Sequence, residues 1–190
     1  MARAANAFTQ GISGKVGGVV FRQQADGSPA VIAAAPKPQD RKPRRREAEN
    51  QQRFKEAVAF GNLVKRDREL RPRYAARQTA KLRSPYHVAL ADARNPPRVE
   101  DYAAPLLPLA PGQTIRVRAT DDFEVMRVRV QLEAPDGTLL EEGEAVASDA
   151  ATPAGWWHYA VRGAVGAGSG LVATAVDRPG NATTLRWVLG

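Results

Sequence analysis

The hydrophobic pattern changes period partway along the chain. After Pro105 apolar residues recur at every second position: Ile115, Val117 and Ala119 alternate with Arg116 and Arg118. Val128, Val130 and Leu132 alternate with Arg127, Arg129, Gln131 and Glu133, and Trp157, Tyr159 and Val161 alternate with His158 and Arg162. A period of two puts one set of side chains on one face of a strand. Leu139-Leu140, Ala145–Ala147, Leu171–Val176 and Thr183–Leu189 supply further short strands. Turn signals stand between them at Pro135-Asp136-Gly137-Thr138 and Asp177-Arg178-Pro179-Gly180-Asn181. The pattern predicts an antiparallel β-sandwich of about seven strands over residues 105–190.

Before Pro105 the period is helical. Phe54, Ala57, Val58, Gly61 and Val64 fall on one stripe of a helix predicted over about 44–70, and Phe60 and Leu63 widen it. Pro72 ends this helix or opens the next, over about 72–81. Ser84-Pro85 is an N-cap followed by proline at the first helical position, which predicts a third helix to about Ala93; Asn95-Pro96-Pro97 stops it. At the N-terminus, β-branched residues around Val16–Gln23 and Ala30–Ala35 flank Asp26-Gly27, a strong hairpin signal. A lone hairpin is marginal in water, so this arm must pack on the chain or pair with another subunit.

Charge reinforces the division. Residues 1–104 carry 21 Lys/Arg against 10 Asp/Glu, a net of +11, whereas residues 105–190 carry 7 against 10, a net of −3. The expected organisation is a glycine-rich arm over 1–36, a basic linker and helical region over 37–104, and the sandwich over 105–190: an α+β chain. There is no cysteine, so disulfides and thiolate chemistry are excluded. No apolar run reaches membrane-spanning length. No apolar segment follows Arg3 as a secretory signal would require, and a cytoplasmic or particle-associated setting is favoured.

Two resemblances follow from short motifs. Ala119-Thr120-Asp121-Asp122, Val128-Arg129-Val130 and the run Ala173-Thr174-Ala175-Val176-Asp177-Arg178-Pro179-Gly180-Asn181 resemble bacterial immunoglobulin-like domains, whose modules end on Ala-x-Asp-x-x-Gly-Asn. This covers about 113–190 and implies an immunoglobulin-like sandwich without the paired cysteines of antibody domains. Ser13-Gly14-Lys15-Val16-Gly17-Gly18-Val19-Val20-Phe21, Gln51-Gln52-Arg53-Phe54 and Ser84-Pro85-Tyr86 resemble a loose set of bacterial and phage-associated proteins. Some of those are virion or surface structural components, which implies a structural role for residues 10–95.

Candidate chemistry is sparse. Gly14-Lys15 lacks the remainder of a phosphate-binding loop, because Thr9 and Val16 stand where Gly and Ser/Thr are needed. It reads instead as an assembly arm comprising Gly14, Lys15, Gly17, Gly18, Val19, Val20, Phe21, Val31 and Ile32. A basic patch comprises Arg41, Lys42, Arg44, Arg45, Arg46, Lys65 and Arg66. It suits a solvated helical face meeting an acidic neighbour, or phosphate neutralisation, though no aromatic platform interleaves it. Trp156 and Trp157 are candidate surface aromatics for an interface or a sugar, with one of them expected in the core. Asp121, Asp122, Glu124 and Asp177 offer hard oxygens, but their spacing fits turn caps better than a calcium loop. His87 and His158 sit in no Ser-His-Asp order, so no catalytic residue, cofactor or metal ligand is assigned.

These readings favour a non-enzymatic, self-assembling structural protein, a subunit of a filament, virion or similar particle. It would form a homo-oligomer or polymer through inter-subunit strand pairing by the arm. A nucleic-acid-binding adaptor and a carbohydrate-binding sandwich are the less favoured alternatives.

Overall fold

The computed structural model describes residues 44–148 and 155–190, together with the backbone of three strands nearer the N-terminus. The chain divides into two compact units, Met1–Arg44 and Arg45–Gly190.

In the first unit, β1 (Gly14–Val16), β2 (Val19–Gln23) and β3 (Pro29–Ile32) form an antiparallel sheet with β2 in the centre. The β2–β3 pairing, with Val20 opposite Ile32 and Gln23 opposite Pro29, is the expected hairpin. The sequence reading carried its first strand back through Val16 as one element. Instead Val16 pairs with Val19, so β1 is a separate third strand.

In the second unit three helices precede a seven-stranded sheet: α1 (Arg45–Arg66), α2 (Leu70–Ala75) and α3 (Pro85–Asp92). The stripe on α1 buries Ala57, Gly61 and Val64, whereas Phe54 and Leu63 stay half exposed. Helix α2 starts earlier than the proline suggested. The Asp67 carboxylate accepts from the backbone N–H groups of Glu69 and Leu70, so Pro72 falls inside the first turn, where its missing N–H costs nothing. Ser84 caps α3 as expected, accepting from the His87 backbone N–H. Gly61 faces Tyr86 so closely that a Cβ there would lie 2.8 Å from the ring, which is how α1 and α3 come together. Tyr74, Val64, Val88 and Ala89 form the core of this helical layer, with Phe60, Leu70, Leu82 and Phe123 against it.

The strands are β4 (Arg98–Ala103), β5 (Thr114–Thr120), β6 (Val125–Glu133), β7 (Leu139–Ala147), β8 (Trp156–Ala160), β9 (Gly170–Asp177) and β10 (Ala182–Val188). Their order is β10-β9-β6-β7-β8-β5-β4, antiparallel throughout. The alternation read in the sequence is the alternation observed. Ile115, Val117, Ala119, Val128, Val130, Leu132, Leu171, Ala173 and Ala175 are all buried. Removing one such Val or Leu side chain from water contributes about 1.5–3 kcal/mol. The sheet curls until its outer strands approach, and the Tyr102 ring of β4 lies 5.2 Å from the Trp187 ring of β10. The result is a nearly closed barrel. Strand β4 is an edge strand with one bulge, at Val99/Asp101. No helix among the described residues is long and apolar enough to cross a membrane.

Candidate functional site

Where the helical layer meets the barrel, three sequence-distant aspartates converge. Asp92 is the last residue of α3, Asp121 opens the β5–β6 turn and Asp177 ends β9. One carboxylate oxygen of each lies within 4.8 Å of the other two. Asp92 and Asp177 are 3% and 2% exposed, and Asp121 is half-buried.

Local chemistry explains two of the three. In the β5–β6 turn Asp121 Oδ2 accepts from the backbone N–H groups of Phe123 and Glu124, at 2.8 and 2.9 Å. In the β9–β10 turn Asp177 Oδ1 accepts from Gly180 at 2.9 Å and from Asn181 at 2.6 Å. The Asn181 amide donates to Asp177 Oδ2 at 2.7 Å, and Gly180 takes a φ of +99°, which a side chain would resist. The Asp-x-x-Gly-Asn pattern is therefore a self-capping turn, as the sequence suggested for loop carboxylates.

Asp92 comes from elsewhere. Its Oδ2 accepts from the Tyr74 hydroxyl at 2.6 Å. Tyr74 is fully buried, stacked on Phe123 at 4.0 Å between ring centroids and edge-on to Phe60 at 6.0 Å. Phe123 thus carries the β5–β6 turn into the helical core, and Arg77 covers its ring. Asn181 also donates to the Ala93 carbonyl, and Asn95 donates to Asp122. Glu124 accepts from Arg178 of the β9–β10 turn at 2.6 Å and from Arg73 of α2 at 3.3 Å.

The electrostatics follow from burial. Asp92 is pushed up to about 7, first by loss of solvation and then by the charges of Asp121 and Asp177; the Tyr74 hydrogen bond and Arg178 oppose this. Burial likewise raises Asp177, against its three hydrogen bonds, and raises the Tyr74 phenol, which Asp92 pushes the same way. Asp92 Oδ1 and Asp121 Oδ1 are buried and have no hydrogen-bond partner among the described residues. Asp121 also lines an open cleft of about 630 Å³ bounded by Pro97, Glu100, Asp122 and Thr183.

The sequence considered Asp121, Asp122, Glu124 and Asp177 together. The structure unites only Asp121 and Asp177, adds Asp92, and commits Asp122 and Glu124 to links with Asn95, Arg73 and Arg178. Asp92 carried no local signal, being one acid at a helix end.

The other candidates lie apart. Of the arm, Gly14, Lys15, Val19, Val20, Phe21, Val31 and Ile32 are strand residues; Gly17 and Gly18 lie outside the described residues. Of the basic patch, Arg44, Arg45, Arg46, Lys65 and Arg66 are exposed at the two ends of α1, Arg45 pairs with Glu49, and Arg41 and Lys42 lie outside the described residues. Trp156 and Trp157 are both half-buried. Trp157 packs against the barrel core, and the Arg116 guanidinium lies over Trp156 at 5.5 Å. Each histidine ring meets one serine, Ser84 with His87 and Ser148 with His158, at 3.0 and 2.9 Å. Ser84 is occupied as a helix cap, and neither ring has a carboxylate partner among the described residues. Nothing among them points to enzyme activity.

No protein-family model matches the chain, and no curated protein matches it. Among solved structures, a conjugative transposon lipoprotein from Bacteroides eggerthii is similar over part of the chain. It is 14% identical, the match covers 50% of this chain and 94% of that one, and the TM-score is 0.23.

Proposed function

We propose that the protein is a structural subunit that assembles by strand addition through its N-terminal arm. The observation that carries this reading is the three-stranded sheet β1–β3, which belongs to a compact unit of its own. Its strands are 3, 5 and 4 residues long, at the short end of the usual range, and a three-stranded sheet stands alone only where a hydrophobic face is packed. Outer edges of this kind pair readily with a further strand, gaining main-chain hydrogen bonds. The Arg45–Gly190 unit is the rigid body of the subunit, three helices and a nearly closed sheet that we read as an immunoglobulin-like sandwich flattened from the barrel, with β7 linking its two halves. The early residues of β7 pair with β6, and Val146 and Ala147 pair with β8.

Deleting residues 2–35 should leave a folded, soluble chain that no longer forms higher-order particles. Val20→Pro should act the same way, because β2 is central and pairs on both sides. Light scattering coupled to size-exclusion chromatography reads both. A full-length protein that stays monomeric at high concentration overturns the proposal.

A second reading rests on the exposed cations of α1, α2 and the link between them, which include Arg46, Arg53, Lys65, Arg66, Arg68 and Arg71. Such a surface suits sequence-independent contact with nucleic-acid phosphates.

A further inference from the structure

We infer that Asp92, Asp121 and Asp177 hold one hard divalent cation of the calcium type, which clamps the end of α3 to the β5–β6 and β9–β10 turns. This is independent of the assembly reading. Three observations converge on it.

The first is spacing. Calcium–oxygen distances of about 2.3–2.6 Å place ligands on opposite sides of the ion roughly 5 Å apart. The three oxygens, mutually within 4.8 Å, fit that envelope. The second is unmet valence. Asp92 is 3% exposed, its Oδ2 is held by Tyr74, and its Oδ1 has neither solvent nor, among the described residues, a donor; Asp121 Oδ1 is in the same position. A buried carboxylate oxygen without a partner is costly, and a cation is the partner that would satisfy both at once. The third is charge. The three aspartates face one guanidinium that acts on them, Arg178, which is itself bound to Glu124, so a cation would offset an excess of negative charge. The cleft beside Asp121 gives the ion a path from solvent.

The raised Asp92 and Asp177 carboxyls agree with this. Burial first, and then the neighbouring carboxylates, favour the protonated form, so a proton and a cation would compete for the same oxygens.

The test uses the full-length protein, stripped with chelator and titrated separately with calcium chloride and magnesium chloride. The expected result is saturable binding of one calcium per chain, with a Kd of about 10⁻³ M or tighter. Calcium should raise the melting temperature more at about pH 8 than at about pH 5, because protons and metal contend for the same oxygens. Terbium in place of calcium should give luminescence sensitised by Tyr74. Asp92→Asn keeps an oxygen for the Tyr74 hydroxyl and removes a buried charge, so it should fold; Asp121→Asn keeps the turn acceptor. Each should weaken calcium binding at least about tenfold, of the order seen when groups around a metal site are lost. Absence of binding at about 10 mM calcium, far above the range of weak calcium modules, overturns the inference. So does binding that either folded variant leaves within tenfold of the parent.

Discussion

Among the described residues the Tyr74 hydroxyl is the only donor to Asp92, and Phe60 and Phe123 pack on the Tyr74 ring. Tyr74→Phe keeps the ring stack but leaves Asp92 Oδ2 without a donor, which should cost about 1–3 kcal/mol in a denaturant titration. The same pair sets a pH dependence. In the unfolded chain Asp92 titrates near 3.8; in the folded chain it titrates near 7. Between these values the folded state keeps a proton that the unfolded state has released, so stability falls as pH rises, by at most about 1.4 kcal/mol per unit. Asp177, also raised by burial, adds to the fall. Metal-free protein should therefore lose stability from about pH 5 to about pH 7 in urea titrations. Asp92→Asn should flatten that slope. Because the Tyr74 hydrogen bond lowers the Asp92 value, Tyr74→Phe should extend the fall to higher pH. An equally steep slope in Asp92→Asn would assign the effect to other groups.

At the scale of elements, β4 decides whether the barrel stands alone. It places Val99 in the core, sets Tyr102 against Trp187 and covers the outer edge of β5. A fragment of residues 97–190 should therefore fold with β-type circular dichroism and a cooperative melt, whereas 105–190 should melt lower and self-associate through the bared β5 edge. Equal melting of the two fragments would show that β4 contributes nothing to closure. The sequence placed the start of the strand region at Pro105 because Arg98–Ala103 has no alternation to read. Only Val99 is buried there, and Glu100 and Asp101 face solvent at a bulge. Where a strand has one face in the core, as in Ile115-Arg116-Val117-Arg118-Ala119, period two was sufficient. Pro72 misplaces the start of α2 for a different reason: that boundary is made by the Asp67 side chain ahead of it, through the Glu69 and Leu70 N–H groups. Of the aspartate site, Asp121 and Asp177 were legible as turn caps because their partners are within four residues. Asp92 was not, because what makes it distinctive is convergence through the fold with residues far along the chain.

Over the whole molecule the net charge of +8 is carried before residue 105, and the part with a net of −3 lies after it. This asymmetry separates the two readings of the helical surface. A chain that neutralises phosphates releases counterions, so its affinity falls with salt at a slope set by the number of contacts. With Arg46, Arg53, Lys65, Arg66, Arg68 and Arg71 exposed on α1, α2 and the link between them, six contacts would lower affinity by about 10³-fold between roughly 50 and 200 mM salt. The expected outcome for a structural subunit is less selective. Duplex DNA should bind weakly at low salt and release at about 150 mM, because on α1 and α2 only the half-exposed Phe54, next to Arg53, could stack a base, while Phe60 and Tyr74 pack in the helical core. Replacing Lys65, Arg66, Arg68 and Arg71 by Gln should shallow the salt slope while leaving particle formation by the arm intact. Fluorescence anisotropy on labelled DNA, run beside light scattering on the same samples, reads both quantities. Nanomolar binding at about 150 mM salt that disappears in this variant would make nucleic acid the primary partner.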